Sequence, residues 1–375
     1  MKDMDKNEHL VVLAHPLCIT RVDVIIKLLI REKGIKLKAV PQIAAALGMA
    51  LATALPIGIE SLLFHRRIEK EQVKPPVFVL GHWRSGTTLV QYLLAQDRQF
   101  GNFDPVFNFA FNFYYVLGWL FRPLVKGSLS EHRPQDNMRL SLDLPLEEYM
   151  AFAKIEADSL YPVNYFPMSF EKFMNNSYWQ DLPPKKAARL EKKYDHMLKK
   201  CAQYNDHKRL LLKSPDNTGR AEVLAKMYPG AKFINIYRNP YAVIRSTIHL
   251  YENVFDMWSL QDIPSRETLE DEVIDNFARM YRSYFQAVDA LPENDVYEIC
   301  FEAFEKDPYP YLREAYEKLD LGDYSKAEPG FKAYMEAEKD YQKNQLDYPE
   351  ALMKKIDEKL GFYFDRYHYE HGVLS

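Results

Sequence analysis

The densest chemistry in this sequence sits in a glycine-bounded loop that carries one arginine and two threonines. In VFVLGHWRSGTTLVQYLLAQD (residues 77–97) the spacing Gly81-x-x-x-x-Gly86 matches a phosphate-cradling loop. In such loops backbone N–H groups and the positive end of the following helix surround an anion. The lysine that usually follows the second glycine, and reaches the terminal phosphates of a nucleoside triphosphate, is replaced by Thr87-Thr88. ATP or GTP hydrolysis here would lack a main part of its charge stabilisation. A different anion is implied. The cation stands inside the loop as Arg84, whose planar fork suits a tetrahedral oxyanion. Gly-x4-Gly alone also fits an ordinary strand-to-helix turn. The apolar run before it, Arg84-Ser85-Gly86-Thr87-Thr88, and the helical spacing of Leu89, Leu93 and Leu94 after it together weigh against that reading.

Two further strand ends carry cations. Arg209-Leu210-Leu211-Leu212 reads as a short buried strand that delivers Lys213 to its carboxyl end, where α/β sheets place their ligands. KFINIY (232–237) reads as another strand, ending at Arg238-Asn239-Pro240, and the helix that begins there carries Ser246 about two turns in. Arg238 and Ser246 converging on one anion would make a second phosphate site, although Arg-Asn-Pro alone is an ordinary turn. A proton acceptor is offered by Glu147 or Glu148, in a helix expected over Glu147 to Ala157 after Pro145. Either carboxylate against an apolar pocket would gain a usefully raised pKa, though acids at a helix start are also simply stabilised there.

These positions require a framework. Alternating strand and helix patterns imply a parallel sheet with right-handed crossovers. The expected fold is α/β, a P-loop-type three-layer sandwich with a central parallel sheet flanked by helices, and N- and C-terminal helical appendages. The boundaries drawn are 1–72 for the N-terminal helical appendage and 73–375 for the catalytic domain. A length of 375 residues with 47% hydrophobic and 27% charged residues is ample for a packed core. A net charge of −4 argues against a nucleic-acid binder, and three scattered cysteines suggest neither a disulfide framework nor a zinc site. A reducing cytoplasm is the expected location, the first residues showing no signal-peptide pattern.

Residues 40–64, VPQIAAALGMALATALPIGIESLLF, are long and apolar enough to cross a bilayer but are interrupted by Pro56 and Gly58. A helical hairpin docked on the domain is the first expectation; a peripheral contact lying on a membrane, and a true span, are the alternatives. Phe103 to Trp119 and Tyr161 to Trp179 are rich in aromatic residues, which suits core packing or the two walls of a cleft for an apolar acceptor. Late in the chain, 326–363 is helical in pattern, and Tyr341-Gln342-Lys343-Asn344 suits a donor contact.

From Pro75 to Tyr369 these residues resemble the sulfotransferase superfamily that uses 3′-phosphoadenosine-5′-phosphosulfate (PAPS), in its broad, mainly bacterial branch. Arg84-Ser85-Gly86-Thr87-Thr88 resembles the 5′-phosphosulfate loop, and Arg238 with Ser246 resembles the 3′-phosphate site. LLLKSPDNTGR, YPGAKFINIYRNPYAVIRST and YQKNQ resemble further blocks of that branch in the same order. Two departures stand out. The histidine that cytosolic members place two residues after the strand-end lysine is absent, since Lys213 is followed by Ser214-Pro215, and the tryptophan that stacks on adenine is replaced by Leu89. Trp83 is the nearby stacking candidate, and His82 and His249 join Glu147 and Glu148 as candidate bases. The resemblance implies a transferase that moves a sulfuryl group from PAPS to a hydroxyl, releasing PAP without a metal. Arg84, Lys213 and a glutamate would be catalytic, and Arg84 to Thr88, Arg238 and Ser246 would hold the donor. A hydrophobic alcohol such as a sterol, steroid or lipid is the expected acceptor, with a carbohydrate or glycolipid as runner-up. A P-loop kinase and a catalytically silent nucleotide-binding module are the readings from other classes. The oligomeric state is left open.

Overall fold

Short apolar runs set the sheet. Val77–Leu80 (β1), Phe100–Gly101 (β2), Arg209–Lys213 (β3), Lys232–Tyr237 (β4) and Val296–Cys300 (β5) are parallel in the order β2-β3-β1-β4-β5. The structure is a computed structural model describing residues 15–128, 141–339 and 346–374. Central strands covered on both faces need no polar face, and every residue of β1 is buried. β1 pairs with both neighbours, Phe78 opposite Leu212 of β3 and Phe233 of β4. The chain builds one side of the sheet as β2 and β3, then crosses β1 to build the other as β4 and β5. The carboxyl ends of β3, β1 and β4 therefore lie side by side at the switch point where such sheets bind ligands.

Alternation along the strands divides the core into two layers. Phe78, Leu80 and Leu212 point into a large cluster shared with the helices Pro184–Tyr204, Pro240–Trp258, Arg266–Val288 and Glu350–Tyr367. Val77, Val79 and Ile236 point the other way, against Thr87–Leu94, Tyr309–Leu319 and Tyr324–Ala337. This is the expected three-layer sandwich. The helices called on below are, in chain order, α1 (Val22–Arg31), α2 (Val40–Glu69), α3 (Thr87–Leu94), α4 (Glu148–Ala153), α5 (Pro184–Tyr204) and α6 (Pro240–Trp258). α1 contributes Val24, Ile25 and Leu28 to the large cluster, and Arg31 at its end binds the Asp158 carboxylate and the Ala157 carbonyl.

Several local expectations are corrected. Residues 40–69 form one uninterrupted helix, not a hairpin. Pro56 removes one backbone hydrogen bond, but the alanine- and leucine-rich flanks favour helix on both sides. Phe107 to Phe113 lie in short helical turns. Asp104 caps a helix over Pro105–Phe109, accepting from the N–H groups of Val106 at 2.8 Å and Phe107 at 2.9 Å, and 3-10 turns follow. Apart from the exposed Trp119, the rings of both aromatic stretches pack into or against the core: Phe107 stacks on Tyr204 at 4.2 Å, and Phe166, Phe173 and Trp179 are buried. They are not cleft walls. The helix expected from Glu147 is shorter, Glu148–Ala153, and among the described residues of 326–363 two helices appear, Tyr324–Ala337 and Glu350–Tyr367. Tyr341 to Asn344 lie outside the described residues.

Candidate active site

β1 ends at Gly81, where φ is +141° and a Cβ would stand 2.6 Å from both the Ile236 carbonyl and Ser85 Oγ. A side chain there has no room. The loop closes on itself through Ser85, whose N–H and hydroxyl both donate to the His82 carbonyl, and on its neighbour through Thr218, whose Oγ1 accepts from the Gly81 N–H at 2.8 Å. Gly86, at φ +105°, caps α3 without a side chain, and a Cβ on it would stand 2.4 Å from the Phe301 ring. The start of α3 is thereby left free of the side-chain oxygen that usually caps a helix.

Arg84 also adopts a positive φ, 68°, a strained setting for a side chain of its size. The setting has a use. It aims Nε at Ser246 Oγ of α6, 2.9 Å away, while the Arg84 carbonyl accepts from Nη1 of Arg238 at 3.1 Å. Arg238 leaves the end of β4 with its guanidinium 4.3 Å over the Phe301 ring, and its backbone is held by the Tyr363 hydroxyl, which donates to the Arg238 carbonyl at 3.0 Å. Burial lowers the Arg238 pKa, opposed by Glu302 and Glu305 and assisted by the Arg84 charge. Two guanidiniums and a hydroxyl from two distant parts of the chain, the loop after β1 and the turn from β4 into α6, thus share one place.

On the other side of the loop, Lys213 at the end of β3 is almost wholly buried. Its ammonium binds the Glu147 carboxylate and Thr88 Oγ1, the latter at 3.2 Å. Glu147 keeps 15% of its side chain exposed and also accepts a hydrogen bond from the Tyr149 hydroxyl. Its neighbour faces inward. Glu148 has no exposed surface, and its oxygens accept from the Lys213 N–H at 3.0 Å, the Tyr194 hydroxyl at 3.1 Å and Asn217 Nδ2 at 2.5 Å. Burial raises its pKa to about 7, with Asp216 adding to the rise and Asn217 and Arg220 opposing it. Adjacent residues at a helix start lie about 100° apart, so one carboxylate meets the site and the other the core.

Asp216, Asn217, Thr218 and Arg220 receive no role in the sequence reading, yet all are buried and tie the site together. Arg220 pairs with Asp216 at 2.9 Å, donates to Asn217 Oδ1, and lies 4.2 Å over the Trp179 ring. The signal was available in SPDNTGR, a polar run placed directly after a buried strand. His82, one of the candidate bases, is fully enclosed; burial lowers its pKa to about 3, so it is neutral and shapes the loop. His249 faces Asn253 and Glu252 along α6 and touches none of these groups. Trp83 is buried with its ring against His82 and Tyr251, so its faces are used internally. A separate group, His65, Glu69 and His196, brings three donor atoms within 4.8 Å and joins α2 to α5.

A family profile described as "Sulfotransferase family" matches residues 75–325. The chain is 30% identical over 312 residues to omega-hydroxy-beta-dihydromenaquinone-9 sulfotransferase Stf3 of Mycobacterium tuberculosis, covering 83% of this chain and 80% of the relative; the Mycobacterium bovis protein of that name matches equally. Among solved structures, sulfotransferase STF9 from Mycobacterium avium superposes with a TM-score of 0.69 at 16% identity, covering 93% of this chain and 91% of that one. STF1 from Mycobacterium tuberculosis gives 0.66 at 15% identity, with 90% of each chain covered.

Proposed function

Because this chain belongs to the sulfotransferase family, we propose that it transfers a sulfuryl group from PAPS to the hydroxyl of a hydrophobic, lipid-like alcohol in the cytoplasm. The observation that carries the donor assignment is the convergence of Arg84, Ser246 and Arg238 on one side of the loop and Lys213 with Glu147 on the other. A donor with phosphates at both ends of its ribose needs two anion sites joined by one loop. A sulfuryl group carries less charge than a γ-phosphate, which fits a loop without the usual lysine and a reaction without a metal.

PAPS supplies the sulfuryl group and a bisphosphate leaving group. Arg238 and Ser246 hold the 3′-phosphate, while Arg84, the Gly86 N–H and the hydroxyls of Thr87 and Thr88 hold the phosphosulfate; Ser85, whose donors are turned to the His82 carbonyl, shapes the loop. Binding energy remote from sulfur thereby orients the reacting atoms. Glu147, the carboxylate that retains exposure, takes the proton from the acceptor hydroxyl as its oxygen bonds to sulfur. The bond from sulfur to the phosphate oxygen breaks on the opposite side, and Lys213 meets the charge that develops on that oxygen. Glu148 acts through Lys213: it holds the lysine's backbone and is enclosed by Tyr194 and Asn217.

The acceptor class rests on two supports. Tyr149, half-buried beside Glu147 and edge-on to Tyr161 at 4.9 Å, gives the base an aromatic neighbour, and the curated relative is named for a hydroxylated menaquinone, itself a hydrophobic alcohol. The donor assignment is tested by calorimetric titration of the purified protein with PAP and, separately, with ATP and Mg²⁺. PAP binding that weakens at least roughly tenfold in Arg238→Ala, the loss expected of one charge-assisted contact, supports it. Binding of ATP with Mg²⁺ but not of PAP would return the chain to the kinases.

A further inference from the structure

α2 carries an apolar face that the rest of the protein leaves uncovered. Ala46, Ala50, Thr53, Pro56 and Glu60 turn inward, whereas Leu51, Leu55, Ile59 and Leu62 recur at helical spacing on the outside, Leu55 73% and Leu62 84% exposed. Gly48 and Gly58 face open space, so the surface between these leucines is smooth. Glu60, the one acidic residue between Val40 and Arg67, is turned away from this face. It is buried against the Lys200 ammonium and accepts from the Tyr115 N–H at 2.7 Å. From Val40 to Leu62 the face runs roughly 35 Å at 1.5 Å per residue.

A second exposed apolar element lies beside it. The segment that begins at Phe113 packs through Phe113 and Phe121 against Ile57 of α2 and surfaces at Trp119, Leu120 and Leu124. Exposed cations border the two elements: Lys38 at the start of α2, Arg66 and Arg67 at its end, and Arg122 and Lys126 on the second element. An apolar stripe flanked by cations, with a tryptophan at the edge, has the chemistry of a surface that lies in the headgroup layer of an anionic membrane.

We propose that α2 and the Trp119–Lys126 segment dock the protein in the plane of an anionic lipid surface, from which the lipid-like acceptor reaches Glu147. The proposal rests on the acceptor class assigned above and adds the surface that delivers it. A span across the bilayer is disfavoured by the inward face of α2, which would have to leave Lys200 and expose Glu60 to hydrocarbon. The same chain segment joins surface to site. Asn108, in the helix that begins it, donates to the Glu147 carbonyl at 3.0 Å, and Trp119 and Leu120 lie at its far end.

Co-flotation of the full chain with vesicles tests this, using phosphatidylcholine alone and an equal mixture with phosphatidylglycerol. The wild type should float with the mixed vesicles and be released by salt, as expected for a cationic border. A Leu51→Glu, Leu55→Glu, Leu62→Glu variant should lose roughly 100-fold or more in partitioning, since three leucines leave the apolar layer. An Arg66→Glu, Arg67→Glu variant should lose preference for the anionic vesicles. PAP titration of each variant keeps the two readings apart: unchanged PAP affinity with lost flotation isolates the surface from the donor site. Absence of wild-type flotation, or flotation unaffected by the leucine variant, overturns the proposal. A wild-type dimer in solution that the leucine variant converts to a monomer also overturns it, and makes the face an interface between copies.

Discussion

Replacing Glu147 by glutamine removes a proton acceptor while preserving shape, and the structure permits its effects to be separated. General-base catalysis is typically worth 10²- to 10⁴-fold, or about 3–5 kcal/mol of activation free energy. The variant should therefore lose roughly 10²- to 10⁴-fold in sulfate-ester formation under single turnover at saturating PAPS. The competing effect is on Lys213, which loses a charged partner but keeps the amide oxygen and Thr88 Oγ1 as acceptors. Exchanging a charged for a neutral hydrogen bond costs about 1–2 kcal/mol, well inside the stability of an ordinary domain, so the variant should fold. PAP affinity should change only a few-fold, because Glu147 lies on the acceptor side of the loop. Glu147→Ala should lose as much activity and regain part of it when formate is added, since the vacated space admits a small carboxylate. A loss below tenfold with PAP binding intact would refute the assignment of the base. Absence of formate rescue combined with weakened PAP binding would show instead that Glu147 acts by holding Lys213.

Glu148 should register in stability instead of chemistry. Its folded pKa of about 7 lies above the ordinary carboxyl value of 4.5, so the folded protein retains the proton that the unfolded chain releases. Stability from this group is present in full below pH 4.5 and falls by about 3 kcal/mol as pH rises to 7, then levels off. Denaturant unfolding of wild type and Glu148→Gln across this range should give a difference curve with that slope; a flat difference would overturn the burial argument. Gly86→Ala places a Cβ at positive φ and 2.4 Å from the Phe301 ring that supports Arg238. It should destabilise by about 2–4 kcal/mol in thermal or denaturant unfolding and weaken PAP binding at the same time. Loss of stability without loss of PAP binding would separate Phe301 from the donor site.

The cations of the site were legible in the sequence because each stands at the end of an apolar strand, and parallel sheets place strand ends together. Lys213, Arg84 and Arg238 follow from that rule and from nothing more distant. The choice between Glu147 and Glu148 was not legible. It depends on which side of a short helix packs against α5, a contact between residues 46 apart that local periodicity does not encode. The same limit hid the roles of Asp216, Asn217, Thr218 and Arg220, whose partners lie on β1, α4 and α5. At α2 the error had another source. Pro56 and Gly58 locally oppose a helix, but helix propensity over thirty residues outweighs the loss of one hydrogen bond.

The buried polar network beneath the site explains how two arginines stay in place before any anion arrives. Arg84 held at positive φ costs about 1–2 kcal/mol, and placing Arg238 beside it adds like-charge repulsion. Neither would persist on a loop free to relax. The loop is not free. Its first residue is fixed by Thr218, Ser85 folds back on the His82 carbonyl, and Thr247 donates to the Trp83 carbonyl at 3.3 Å. Thr218 in turn belongs to the turn that Asp216, Asn217 and Arg220 hold against Trp179 and Glu148. The strain at Arg84 is thus sustained by hydrogen bonds that reach the Lys213 strand, and an entering donor would meet charges already in position. Substituting Thr218 by valine, which keeps the shape and removes the Gly81 contacts, should release that strain. It should weaken PAP binding although Thr218 touches no donor group, and unchanged affinity would show that the loop holds its conformation without the network.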